Sequence, residues 1–63
     1  MTPLRVVERL DGGKWLPVPV LATPARVEVE FYREKMRFAY RICEDSRVVW
    51  SIRRRRDAAI IGG

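Results

Sequence analysis

Arg53, Arg54, Arg55 and Arg56 stand in an unbroken run, with Arg37 and Arg41 a short distance before them. Guanidinium groups grip phosphate oxygens bidentately and stack on bases, so arginines gathered this way suit a polyanion. Arg33, Lys35 and Arg47 adjoin the same segments and would extend the basic surface. Trp15 follows a glycine turn and Tyr32 borders a loop, which makes them the aromatic residues best placed to stack on a base or sugar. These eight residues, Arg37, Arg41, Arg53, Arg54, Arg55, Arg56, Trp15 and Tyr32, are the candidate nucleic-acid contacts.

The charge is unevenly distributed. Of 63 residues, 13 are basic and eight acidic, a formal net charge of +5. Residues 1–32 hold four of each sign, and residues 33–63 hold nine basic against four acidic groups. Phosphate neutralisation by such a surface gives salt-dependent affinity with little sequence preference. Three other readings fit the same charges: a solvated face whose cations keep sheet edges apart, an acidic protein partner, or an anionic lipid surface. The lipid reading lacks a basic amphipathic helix. Biased arginine codon usage would also raise the arginine count.

Several chemistries are excluded. The chain has no histidine and one cysteine, Cys43, so there is no internal disulfide and no Cys/His zinc site. The Ser-His-Asp and Cys-His nucleophile systems are excluded for the same reason. Cys43 near Arg41 and Arg47 is either activated by those cations or an incidental half-buried thiol, and the missing resolving cysteine or base favours the second. Glu28, Glu30 and Glu34 read as cross-strand partners of Arg37 and Arg41 rather than as an acid/base pair. No enzyme, metal or cofactor is expected.

The elements that must position these residues follow from a period of two. The chain is near the lower size limit for folding alone, so a second copy is one source of added burial. Leu4–Leu10 is β-branched and alternating, and Asp11-Gly12-Gly13-Lys14 is a hairpin turn. Trp15–Ala22 reads as the second strand, an edge strand because Pro17 and Pro19 lack N–H groups on one side. Alternation over 26–32 places Val27, Val29 and Phe31 on one face. A helix over 24–43, capped by Thr23 with Pro24 in its first turn, competes for this region. That long helix would expose Phe31, Phe38 and Ile42, so the strand is preferred.

Strands over 36–43 and 47–55 complete the set. With Glu44-Asp45-Ser46 as a three-residue loop, Ile42 faces Val48, Tyr40 faces Trp50 and Phe38 faces Ile52. The opposite face then pairs Arg41 with Val49, Ala39 with Ser51 and Arg37 with Arg53, small residues among arginines. The expected fold is a small all-β domain over 1–56. It is a five-stranded antiparallel meander or a partly open barrel of SH3-like or OB-like form. A short tail, 57–63, contains either a helical turn after Asp57 or a last short strand at Ile60-Ile61.

Gly62-Gly63 resembles the di-glycine end of the ubiquitin-like sulfur carriers, whose terminal glycine is activated by adenylation. The resemblance covers two residues. It implies a sheet wrapped around an amphipathic helix, and the strand reading leaves no such helix.

The leading expectation is a non-catalytic protein binding DNA or RNA through its phosphate backbone. The alternative is a protein-interaction or structural module, an edge-strand homodimer or a subunit meeting an acidic partner. A di-glycine carrier is a minor one. No run approaches the roughly 20 apolar residues of a membrane span, and the N-terminus lacks a signal-peptide layout. Cytoplasmic localisation without a membrane partner is the expectation.

Overall fold

The computed structural model describes residues 4–54. They form four strands and one helix: β1 (Arg5–Asp11), β2 (Lys14–Val18), α1 (Pro24–Arg33), β3 (Tyr40–Glu44) and β4 (Arg47–Ile52). The strands make one open antiparallel sheet in the order β2-β1-β3-β4. The molecule is sheet-rich, as the alternation implies, but the sheet does not close into a barrel. The anticipated helical turn or strand in 57–63, and Gly62-Gly63, lie outside the described residues.

The first hairpin follows its turn chemistry. Gly12 and Gly13 have φ of 60° and 79°, which a two-residue type I′ turn requires and glycine adopts without strain. Asp11 and Lys14 close the turn, and Glu8 then lies opposite Pro17. Bonded and non-bonded pairs alternate along an antiparallel ladder, which points the nitrogen of Pro17 away from β1. β2 is accordingly at the sheet edge. It ends at Val18, earlier than the predicted 15–22, and Val20 and Ala22 leave the sheet to pack against the core.

The segment 26–32 is helical, which corrects the third predicted strand. Thr23 is extended (φ −125°, ψ 145°), and its hydroxyl accepts from the Arg26 N–H at 3.4 Å. Pro24 occupies the first turn, where its missing N–H costs nothing. Val27 and Phe31, four apart, bury one stripe against the sheet, while Val29 and Tyr32 are exposed. The helix stops at Arg33 without a glycine. Lys35 donates to the Tyr32 carbonyl and Met36 to the Phe31 carbonyl, both at 2.9 Å, a Schellman closure. Lys35 and Met36 adopt φ of 57° and 58° to make it, a left-handed conformation that side chains disfavour. A ten-residue helix leaves Phe38 and Ile42 free for the sheet side, so the objection to a helix over 24–43 does not apply to it.

β3 begins at Tyr40 rather than at 36, and Phe38 and Ala39 sit in the connection. The second hairpin turns on two residues, Asp45 and Ser46 (φ 49° and 69°), not three. Glu44 therefore faces Arg47 and Cys43 faces Val48. A bulge then leaves Val49 as the additional residue, so that Ile42 faces Trp50 and Tyr40 faces Ile52. Tyr40, Ile42, Trp50 and Ile52 still share the face under α1, because the slip in pairing is two residues and parity is kept. Val7, Val27, Phe31, Tyr40 and Ile42 form the buried core.

Candidate functional site

The sheet has two faces of different character. Val7, Tyr40 and Ile42 lie beneath α1, so the register places Glu8, Trp15, Pro17, Arg41, Cys43 and Val48 on the outer face. The expected outer face of small residues and arginines is not formed. Arg41 is its single cation at a strand register position, and that cation is engaged. Its Nε donates to Glu8 Oε1 at 2.7 Å, and its guanidinium lies 4.2 Å from the centre of the Trp15 ring.

This corrects the expected pairing of Arg41 with Glu28, Glu30 or Glu34: its partner is Glu8, directly opposite in the β1–β3 register. Glu30 instead approaches Arg33, at 3.6 Å along the helix. Arg41 thus gives its Nε to Glu8 and covers one face of the Trp15 ring, and its side chain is 27% exposed. The Glu8 carboxyl is held below the usual carboxylate range, first by the hydrogen bond from Arg41 and then by that from Cys43, against the effect of burial. Cys43 Sγ donates to the same oxygen at 3.3 Å. Burial, followed by the bond to Glu8, pushes the thiol pKa up, so Arg41 does not activate it.

Of the other candidates, Tyr32, Arg53 and Arg54 meet at one end of the helix-covered side. An open cleft of about 620 Å³ runs between the C-terminal end of α1 and the end of β4, lined by Phe31, Tyr32, Met36, Ile52, Arg53 and Arg54. Phe31 and Ile52 form an apolar floor continuous with the core. Tyr32 stands at the rim, 58% exposed, with its ring edge-on to Phe31 at 5.2 Å. Arg53 is exposed and Arg54 half-buried. The structure thus joins Tyr32 to Arg53 and Arg54, residues far apart in sequence.

The helix C-terminus explains part of the charge here. Arg33, Lys35 and Arg37 are exposed around the last turn of α1, where cations offset the negative end of the helix dipole. Arg37 donates its backbone N–H to the Glu34 carbonyl at 3.1 Å. Among the described residues, Lys35, Arg37 and Arg53 make no ion pair. Arg55 and Arg56 lie outside the described residues.

Two residues not among the candidates also belong to this geometry. Met36 joins the cleft because the left-handed turn brings it beside Tyr32, a placement that helix termination without glycine hides from the sequence. Arg9 sits 4.4 Å from the Phe38 ring centre, and both its Nε and the Tyr40 hydroxyl are buried without a hydrogen-bond partner among the described residues. Burial pushes the Tyr40 pKa up. The pair holds the 38–40 connection against β1, where Leu10 also donates to the Ala39 carbonyl at 2.9 Å.

No cluster of cysteine and carboxylate side chains capable of holding a metal occurs among the described residues. No helix among them is long and apolar enough to cross a membrane. Comparison with protein-family models, curated proteins and solved structures finds no match. The functional reading therefore rests on the geometry of the cleft and its cations.

Proposed function

We propose that the protein is a small, non-catalytic, basic binding protein of the cytoplasm that takes up DNA or RNA at the cleft between α1 and β4. The observation that carries this reading is the exposed Tyr32 ring set over an apolar floor beside Arg53 and Arg54. A base stacks on Tyr32 and the neighbouring phosphates meet Arg53, Arg54 and Arg37. Among the described residues neither a carboxylate nor a thiol lines the cleft, and its groups make contacts rather than chemistry. An aromatic that must reach a base face works on unpaired strands, and stacking with backbone neutralisation carries little sequence information.

The test is fluorescence anisotropy with a labelled single-stranded oligonucleotide across a salt series. Affinity should fall steeply with salt, and a tenfold change should appear on Tyr32→Ala, since one base–aromatic stack contributes about 1–3 kcal/mol. Arg53→Gln should flatten the salt slope by about one phosphate's worth. Absence of binding at low salt would remove the proposal. Retention of an acidic polypeptide in place of the oligonucleotide would transfer the same cations to a protein partner.

A further inference from the structure

The outer face of the sheet is apolar apart from the Glu8–Arg41 pair and the neighbouring Ser51. At the strand register positions facing away from α1, the charged residues are Glu8 and Arg41, and these two neutralise each other. Val6, Leu10, Trp15, Cys43 and Val48 surround them. Val48 is 47% exposed and Val49, at the bulge, 41%. α1 covers the opposite face, and no element among the described residues lies on this one.

We propose that this face packs against the same face of a second copy of the chain. Three observations select that occupant. The face is its own electrostatic complement, because a two-fold axis through the middle of the β1–β3 pair brings Glu8 of each copy toward Arg41 of the other. Two copies of net charge +5 repel each other least where they meet through a charge-balanced surface, and this face is one. The sheet edges are blunted as routes to self-association: Pro17 removes a donor on β2, and the bulge at Val48 and Val49 breaks the outer register of β4.

The size of the face sets the strength. Four strands about 4.8 Å apart, with about five residues each at 3.3 Å, give a footprint of roughly 19 by 17 Å. That is well under the ~800 Å² per partner of a standard stable interface. The dimer is therefore weak and forms reversibly at high concentration. The inference is independent of nucleic-acid binding, because the cleft lies on the other side of the sheet.

Sedimentation equilibrium of the full chain, from about 10 µM to 1 mM, tests it. The weight-average mass should climb from one chain toward two. Val48→Glu should weaken association by at least about tenfold, the shift expected for about 1.4 kcal/mol, with an unchanged circular dichroism spectrum because the site is exposed. Val29→Glu, on the exposed side of α1, should associate like the parent. A monomer throughout the range overturns the proposal, as does Val48→Glu behaving like Val29→Glu.

Discussion

The two ends of the arginine supply are treated in opposite ways. Arg41 on the outer face is held by Glu8 at 2.7 Å and roofs Trp15, so its charge is balanced within the chain and one face of the ring is covered. At the cleft, Tyr32 and Arg53 are exposed, and Arg53 has no ion-pair partner among the described residues. The residue types are nearly the same in both places. The difference is that a carboxylate lies across the ladder from Arg41, and hydrophobic floor residues lie beside Tyr32. An arginine count therefore measures basic surface only after the carboxylates opposite each arginine are known.

Breaking the cleft floor should have the largest effect. Phe31 is both the floor and a core residue, 4% exposed, so Phe31→Ala should cost about 3–5 kcal/mol and unfold so small a domain in a thermal melt. Tyr32→Ala, one residue away on the rim, should leave the melt nearly unchanged while weakening oligonucleotide binding. If both variants unfold the protein, the cleft rim is structural and the contrast with Trp15 disappears.

Next is the outer-face pair. Glu8→Gln should cost about 1–2 kcal/mol, because the half-buried Arg41 loses a charge-assisted bond. The same pair sets an acid dependence. The folded-state pKa of Glu8 lies below its unfolded value of about 4.5. Its contribution is thus complete above that value and is lost as the pH falls through the lower folded pKa. Denaturant titrations should show a smaller loss of stability in Glu8→Gln than in the parent over that acidic window.

Relief of backbone strain is expected to be smaller and opposite in sign. Lys35→Gly should raise stability by about 0.5–1 kcal/mol, since glycine adopts the left-handed helix-ending conformation freely. A destabilised variant would mean that Lys35 stabilises the helix end more than its conformation strains it. The mildest test is chemical. Cys43 should react with a thiol reagent more slowly than a free cysteine, because its thiol pKa is raised, and Glu8→Gln should speed the reaction.

What the sequence shows well is what local chemistry determines. Gly12-Gly13, the edge position of the Pro17 strand and the shared face of Tyr40, Ile42, Trp50 and Ile52 follow from turn geometry, missing donors and parity. What it hides is where competing signals overlap. Val27, Val29 and Phe31 satisfy a period of two, while Val27 and Phe31 alone satisfy a helical stripe, and Thr23-Pro24 was the cue to the helix. The end of that helix carries no glycine, so the sequence does not mark the boundary at Arg33, and a helix drawn over 24–43 exposes residues that the ten-residue helix does not contain. The cation partners were hidden for a related reason. Glu8 and Arg41 are far apart in sequence and meet because β1, not a strand over 26–32, lies beside β3.

The strand order has a consequence for synthesis. β1 is made first yet occupies the middle of the sheet, between β2 and β3. As the chain leaves the ribosome, the β1–β2 hairpin is complete long before β3, which pairs with the other edge of β1, is made, and a lone two-stranded hairpin is marginal in water. Val7 and Val18 must therefore wait through the whole of α1 for Ile42. Structure should accumulate late and nearly all at once, when residues 40–52 emerge, rather than in steps from the N-terminus.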